Sequence, residues 1–179
     1  MVNRLITSSF SDTFDVIIVG AGPAGLGCAA ALKQCGIENL VLVDRREVGA
    51  AFEAWPAQMR MVSPSFHSNP FGQADLNAVT PHTSPADFLH TEHPTGKEYA
   101  RYLKAVADYY QLDVKTGIDV TGIKKSGEKL VLEGPSETLE ARHVIWTGGE
   151  FFFPREEIRG SEHCIHNTKV SDWSELDGV

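Results

Sequence analysis

Long hydrophobic runs and an excess of positive charge are both missing from this sequence. Its 179 residues contain no apolar stretch of about eighteen residues, the length that a membrane-spanning helix needs, and residues 1–12 lack the apolar centre of a signal peptide. The 24 acidic residues outnumber the 16 basic ones, which gives a formal net charge of -8. We therefore expect no nucleic acid and no membrane as a partner, because both present negative charge.

Cysteine is scarce, and the three cysteines form no pattern typical of disulfides. Cys28, Cys35 and Cys164 include no C-x-x-C pair, which favours a reducing, cytoplasmic setting. The segment 163–166, "HCIH", would need further metal ligands at a workable spacing, and none stands nearby in the sequence. We therefore expect no metal site.

A glycine-rich turn near the N-terminus stands between a strand pattern and a helix pattern. The run "DVIIVG" is apolar and β-branched, as is typical of a strand buried in a parallel sheet. The alanine-rich segment "PAGLGCAAALKQCG" predicts a helix that ends at Gly36, and "NLVLVD" predicts a second buried strand. Together these segments predict one βαβ unit.

The turn itself, "GAGPAG", has the spacing of a dinucleotide-binding motif. In such a motif Gly20 makes the tight turn, Gly22 lets a pyrophosphate approach the backbone, and Gly25 lets the helix pack against the strand. The phosphates then lie at the helix N-terminus. Asp44 ends the second strand, where a carboxylate accepts hydrogen bonds from ribose hydroxyls and disfavours the 2′-phosphate of NADP. The spacing leaves both NAD and FAD open.

The rest of the chain predicts an α/β domain with a long irregular segment. Residues 49–94 show little periodicity, and a segment of that length without regular structure is usually functional. Thr95 and Glu98 have the spacing of a capping box before the helix pattern "EYARYLKAVADYYQ". A short strand, "DVKTG", then precedes a hairpin or three-stranded meander in "DVTGIKKSGEKLVLEGPSETLEA", and "HVIWTGG" predicts a further buried strand.

The combination of motifs resembles flavin-containing monooxygenase-like flavoproteins, a family built on two dinucleotide-binding domains. The resemblance covers residues 14 to about 170. In that family "GAGPAG" binds the FAD pyrophosphate and the acid of "VLVDRR" binds the adenosine ribose. The resemblance implies an FAD site built from the following residues: Gly20, Gly22, Pro23, Ala24, Gly25, Asp44, Arg45, Phe52, Trp55, Ser63, Val120, Thr147 and Gly148.

Three of the motifs behind the resemblance match in part. The segment "VGAAF" stands where these monooxygenases carry G-G-x-W, with Phe52 in place of the tryptophan and Trp55 following. The segment "VIWTGG" resembles the second FAD motif, A-T-G, with Trp146 in place of alanine. The segment "DVTGI" resembles the strand whose valine backbone recognises adenine, which implies that role for Val120.

The tract "AWPAQMRMVSPSFHSNPFG" resembles the segment that lies over the isoalloxazine in bacterial members of the family. Its polar residues Ser63, His67 and Asn69 either face the flavin or are ordinary loop residues, and both interpretations stay open. Asn69 is the candidate for a catalytic residue, because an amide can hydrogen-bond to the flavin edges without titrating. His67 would instead change charge near a pH of about 6.5.

Two departures from the family pattern shape the functional hypothesis. The G-x-x-x-H motif of the monooxygenases is unmatched, since His163 and His166 follow Gly160 at other offsets, and this favours the broader label of flavin-dependent oxidoreductase. The sequence also has a single G-x-G-x-x-G, whereas family members carry a second one, for NADPH, in a domain inserted after the A-T-G strand. We therefore expect this chain to be the N-terminal half of a larger flavoprotein, with its NADPH site in the missing domain.

These observations predict an α/β fold: a Rossmann-like FAD-binding domain over 15–150, after a mobile tail at 1–14 and before a crossover at 151–179. The leading function is an FAD-dependent, NADPH-using oxidoreductase, monooxygenase-like and acting on a small-molecule substrate, with the fragment alone inactive. A flavin-dependent disulfide or quinone reductase is one alternative, and a nucleotide-binding module without turnover is the other. The oligomeric state, the substrate and the electron acceptor stay open.

Overall fold

The structure, a computed structural model, describes residues 13–66, 75–150 and 158–176. The predicted βαβ unit is present as β1 Phe14–Val19, α1 Pro23–Gln34 and β2 Leu40–Asp44. β1 and β2 pair in parallel, with Val16 opposite Leu40 and Val19 opposite Val43. Both strands are buried through most of their length, as their continuous β-branched runs predict.

The described residues form three further α-helices, α2 Ala50–Glu53, α3 Pro85–Leu89 and α4 Gly96–Tyr109, and three single-turn 3-10 helices at Ser161–His163, Asn167–Lys169 and Trp173–Glu175. The segment 49–94, predicted to be irregular, contains the two short helices α2 and α3, and its other described residues are turns, bends, irregular chain and one isolated bridge. At the start of α3, Ser84 accepts a hydrogen bond from the N–H of Asp87. α2 instead begins after Gly49, which has a left-handed backbone and no side-chain cap.

The predicted capping box at the start of α4 is present. The Thr95 hydroxyl accepts a hydrogen bond of 3.3 Å from the N–H of Glu98, and the Glu98 carboxylate accepts one of 2.8 Å from the N–H of Thr95. That backbone hydrogen bond, followed by one from the Thr95 hydroxyl, holds the pKa of Glu98 below its ordinary value.

The sheet has six strands in the order β3-β2-β1-β6-β5-β4. The remaining strands are β3 Val114–Thr116, β4 Gly122–Ser126, β5 Lys129–Glu133 and β6 Thr138–Trp146. Strands β3, β2, β1 and β6 are parallel, whereas β4 and β5 continue the sheet in antiparallel pairs.

The predicted third meander strand and the predicted final strand are one strand, β6. Residues Thr138 to Ala141 pair with β5, and Ala141 to Trp146 pair with β1. No turn residue interrupts "TLEARHVIW", so the chain runs straight from one ladder into the other. The prediction of a buried strand here is also wrong, because Arg142 and His143 are exposed and Trp146 is 59% exposed.

Hydrophobic side chains cover both faces of β1 and β2. On one face, α1 and α4 pack against β1 and β2 through Ile18, Leu26, Leu42, Tyr102 and Leu103. On the other face, the odd-numbered side chains of β1 and β2 pack with the meander. This packing brings the carboxyl ends of β1, β2 and β6 side by side. Within the described ranges, no helix is both long and apolar enough to cross a bilayer.

Candidate functional site

The glycine-rich turn after β1 is held tightly by its own packing. Gly20 has φ +111°, and a Cβ at this residue would collide with the carbonyl oxygen of Thr147. The Thr147 hydroxyl donates a hydrogen bond of 2.8 Å to the carbonyl oxygen of Val19. A Cβ at Gly25 would collide with the carbonyl oxygen of Gly20. The structure therefore requires glycine at positions 20 and 25 whether or not a ligand is present.

Gly22 differs from these two glycines. Its backbone is extended, with φ -88° and ψ -173°, a conformation open to any residue, and a Cβ there would meet nothing within 4 Å. It is the N-cap of α1, has no side-chain cap, and is followed by a first turn without acidic residues. The open space therefore lies before a helix end that carries partial positive charge and free N–H groups. This fits an anionic group held against the backbone, such as a pyrophosphate.

Asp44 lies beside this turn, at the end of β2. Its carboxylate accepts one hydrogen bond of 2.8 Å from the N–H of Ala21 and another of 2.8 Å from the N–H of Arg46. These two donors fix the position of the carboxylate but leave further acceptor sites on its oxygens. A partly exposed carboxylate fixed in this way can accept hydrogen bonds from a pair of ribose hydroxyls.

A cavity of about 170 Å³ opens next to Asp44, at the carboxyl ends of the strands. Parallel α/β sheets bind ligands at this edge. The N–H of Ile118 donates a hydrogen bond to the Asp44 carbonyl oxygen, which holds residues 118–120 beside the end of β2. Val120 therefore lines the cavity. The lining residues are Val19, Gly20, Val43, Asp44, Arg45, Ile118, Asp119, Val120, Trp146 and Gly148. The lining thus combines five apolar side chains and two glycines with three charged residues, Asp44, Arg45 and Asp119.

Five of the predicted cofactor residues line this cavity: Gly20, Asp44, Arg45, Val120 and Gly148. Gly22, Pro23, Ala24 and Gly25 form the adjacent start of α1, and Thr147 is hydrogen-bonded beneath the turn. Sequence and structure therefore place the glycine motif, the strand-end acid and the second motif at one edge of the sheet.

Phe52 and Trp55 are not brought to that cavity. The ring of Phe52 lies 4.7 Å from the ring of Tyr99 and 4.9 Å from that of Trp55, measured between centroids. A Cβ at Gly96 would lie 2.8 Å from the Cβ of Trp55, so the start of α4 packs closely against this pair. The structure gives both aromatic residues a packing role between α2 and α4.

Ser63 belongs to a hydrogen-bonded network that sequence reasoning missed. Asn77 donates from its amide nitrogen to the carbonyl oxygen of Ser63 and to the hydroxyl of Ser65, at 2.8 Å each, and accepts from the Ser63 hydroxyl. His67 and Asn69, the candidate catalytic residue, lie outside the described residues.

Asp75, which the sequence analysis did not single out, belongs to the same irregular segment and is fully buried. Its carboxylate accepts hydrogen bonds from the N–H of Asn77 at 2.6 Å, from the hydroxyl of Ser84 at 2.7 Å and from the N–H of Ala86 at 3.1 Å. The dipeptide Ser84-Pro85 was a readable signal for the start of a helix. Nothing in the sequence signals that this helix start would meet a buried aspartate.

Two tyrosines of α4 join the network to the core. The Tyr99 hydroxyl donates to the carbonyl oxygen of Asn77 at 2.8 Å, and the Tyr102 hydroxyl accepts from the N–H of Val79 at 2.9 Å. Burial raises the pKa of both phenols above the ordinary value. Their role is to fasten the irregular segment to α4.

Among the described residues, the contacts of the "HCIH" segment are local. His166 Nδ1 lies 3.0 Å from the hydroxyl of Thr168, His163 lies 3.7 Å from Glu162, and Cys164 is exposed. Among residues 13–66, 75–150 and 158–176, no three histidine, cysteine or acidic side chains come together in a group that could hold a metal ion.

Comparison with known proteins supports a nucleotide-binding domain. Residues 17–179 match the family model described as pyridine nucleotide-disulphide oxidoreductase. The alkyl hydroperoxide reductase F protein of Staphylococcus aureus is 29% identical over 169 residues, which make up 93% of this chain and 27% of that protein. The chain thus spans about a quarter of this curated relative.

Solved structures show the same fold. The bacillithiol disulfide reductase of Staphylococcus aureus superposes with a TM-score of 0.70 at 20% identity, over 84% of this chain and 43% of that one. A flavin-containing monooxygenase from Stenotrophomonas maltophilia superposes with a TM-score of 0.59 at 25% identity, over 77% of this chain and 39% of that one. The predicted Rossmann-like α/β fold with a mostly parallel sheet is confirmed.

Proposed function

The chain belongs to the pyridine nucleotide-disulphide oxidoreductase family, a family of FAD-dependent oxidoreductases, and from this premise we propose that it forms the FAD-binding part of such an enzyme. The observation that carries the proposal is the open space at Gly22, directly before α1 and beside the Asp44 cavity. Neither the backbone conformation nor the packing of the protein requires a glycine there. A bound pyrophosphate does.

The residues present fit an adenosine diphosphate group. Gly22 and the first turn of α1 hold the pyrophosphate, and the Asp44 carboxylate accepts from the ribose hydroxyls. The apolar walls of the cavity, including Val120, enclose the adenine. Bound FAD would supply the two-electron chemistry of its isoalloxazine ring. This chain's own residues bind and orient the cofactor.

NADPH is proposed as the electron donor, bound outside the residues of this chain. The Asp44 carboxylate repels a 2′-phosphate, so the site described here is unsuited to NADPH. The sequence contains one G-x-G-x-x-G, and the chain spans 43% of the bacillithiol disulfide reductase that it superposes on. A second nucleotide domain in the whole protein supplies the missing site, and the 179-residue chain alone does not turn over.

The reaction class is proposed as monooxygenase-like, on a small-molecule substrate. The resemblance of the motifs and the fold of the Stenotrophomonas monooxygenase support this class. Residues 45–75 also contain no cysteine, so a redox pair just after the ribose-binding acid is absent. The three free cysteines, Cys28, Cys35 and Cys164, suit the cytoplasmic setting that we propose.

A flavin-dependent disulfide reductase is the second candidate. It is favoured by the family model and by the superposition on the bacillithiol disulfide reductase. In the whole protein, the electron acceptor separates the two. A monooxygenase consumes oxygen in proportion to the substrate oxygenated, whereas a disulfide reductase oxidises NADPH anaerobically when a disulfide is added.

The spectrum of the chain after incubation with FAD and desalting tests the FAD site. We expect the two visible bands of oxidised flavin to be retained in a near-equimolar amount, and no comparable retention of NAD. A chain that loses all flavin on desalting and shows no FAD binding by calorimetry would contradict the proposal.

A further inference from the structure

Trp146 is unusually exposed for its place in the fold. It is the last residue of β6, in the interior of the sheet, yet its side chain is 59% exposed. Its partner across the parallel ladder, Val19, is only 7% exposed. Both residues line the cavity beside Asp44. The indole therefore has a large accessible apolar surface, and it is part of the lining of that cavity.

The backbone after β6 is shaped around this indole. A Cβ at Gly148 would lie 3.0 Å from Trp146 Nε1 and 3.1 Å from Cε2, closer than ordinary side-chain contacts. Gly148 does not have the positive φ that favours glycine, whereas Gly149 does, at +67°. The backbone conformation of residue 148 therefore accepts any residue, and what its missing Cβ provides is room for the indole.

The indole shares the cavity with further apolar side chains and with charged residues. Besides Val19, the other apolar lining residues are Val43, Ile118 and Val120, and the charged ones are Asp44, Arg45 and Asp119. A purine nucleoside combines a planar base with two hydroxyls on the attached ribose. This matches an aromatic side chain next to a carboxylate that accepts hydrogen bonds. Planar bases pack favourably on aromatic side chains.

We propose that Trp146 is a binding residue for the adenine base of the dinucleotide and that Gly148 keeps its indole in position. This rests on the proposed FAD site. The motif that the segment resembles carries alanine at this position, so the aromatic contact is a property of this chain rather than of the motif. The contact adds affinity for the base without touching the redox ring.

Affinity for ADP, measured by calorimetry, tests the proposal without any enzymatic activity. We expect Trp146→Ala to weaken ADP binding about tenfold, as the loss of one base–aromatic contact predicts, and Trp146→Phe to keep most of the affinity. Trp173→Ala is the matched control, because Trp173 is also exposed, at 46%, but does not line the cavity. Thermal unfolding of each variant shows that its fold is intact.

Fluorescence gives a second readout. In the double variant Trp55→Phe/Trp173→Phe, Trp146 is the remaining tryptophan of the three. ADP should change its emission, whereas inorganic pyrophosphate, which lacks the base, should not. Gly148→Ala should weaken ADP binding in the parent and add little in the Trp146→Ala background, because its effect acts through the indole.

The outcomes separate this inference from the FAD site itself. If Asp44→Ala weakens ADP binding while Trp146→Ala leaves it unchanged, Trp146 does not contact the base and only this inference falls. If the parent binds neither ADP nor FAD, both proposals fall. Equal changes in emission with ADP and with pyrophosphate would also overturn the role of the indole.

Discussion

The N–H of Ala21 donates a hydrogen bond of 2.8 Å to the carboxylate of Asp44, which joins the glycine-rich turn after β1 to the end of β2. The acid predicted to bind the ribose thus also holds the loop predicted to bind the pyrophosphate. A change at Asp44 therefore removes a ligand contact and loosens the neighbouring part of the site at the same time.

Replacing Asp44 with alanine should weaken FAD binding about tenfold to a hundredfold, since charge-assisted hydrogen bonds contribute about 1.5–3 kcal/mol. The measurement is a titration with FAD, followed by calorimetry or flavin fluorescence. Asp44→Asn keeps one acceptor oxygen but removes the charge, so it should improve the binding of 2′,5′-ADP relative to ADP. Unchanged affinity for FAD in the alanine variant would remove Asp44 from the site.

Substitution of Gly22 should impair FAD binding, whereas substitution of Gly25 should impair the stability of the fold. Gly22→Val should abolish FAD binding but leave thermal stability nearly unchanged, because a Cβ at Gly22 meets no protein atom within 4 Å. Gly25→Val should destabilise the fold itself, because its Cβ would collide with the carbonyl oxygen of Gly20. Calorimetric affinity and the unfolding temperature, measured for both variants, test this contrast. If Gly22→Val binds FAD like the parent, no pyrophosphate lies against residue 22 and the proposed site is wrong.

The sequence predicted those parts of the fold that depend on residues close to one another in the chain. The β1–α1–β2 unit follows from adjacent patterns, and the capping box of α4 joins Thr95 to Glu98 within one turn. The merging of two predicted strands into β6 was missed because Ala141 pairs with both β5 and β1, which only the assembled sheet determines. The glycine motif and Asp44 were predictable as a site because the carboxyl ends of neighbouring parallel strands lie together.

The buried network around Asp75 was unpredictable for a different reason. A buried aspartate looks like any loop aspartate in a sequence, and its partners Ser84 and Ala86 are brought to it by the path of an irregular segment. Likewise, the sequence does not distinguish an aromatic residue that contacts a ligand from one that packs in the protein when it follows a predicted nucleotide motif. The position of Phe52 against Tyr99 gives it the packing role.

Asp75→Ala should lower the free energy of unfolding by about 2–5 kcal/mol, because it leaves two buried donors and one half-buried donor without their acceptor. Urea unfolding of the FAD-free chain measures this. Asp75→Asn keeps one acceptor oxygen and should cost less. Glu128→Ala is the control, since Glu128 is an exposed acid in the turn between β4 and β5. An Asp75→Ala variant as stable as this control would show that the network contributes no stability.

The flavin bound to this chain should not be reduced by NADPH at an enzymatic rate. Hydride transfer needs the nicotinamide and the flavin held within about 3–3.5 Å, which requires a nicotinamide site beside the cofactor. The sequence carries one dinucleotide motif, and the Asp44 carboxylate beside it repels a 2′-phosphate. Anaerobic mixing of the FAD-loaded chain with NADPH should therefore leave the visible flavin bands unbleached over a range of NADPH concentrations. Dithionite, which needs no binding site, should bleach the same sample and so prove the flavin reducible. Fast bleaching that saturates with NADPH would demonstrate a nicotinamide site within these 179 residues and would overturn the placement of that site elsewhere in the whole protein.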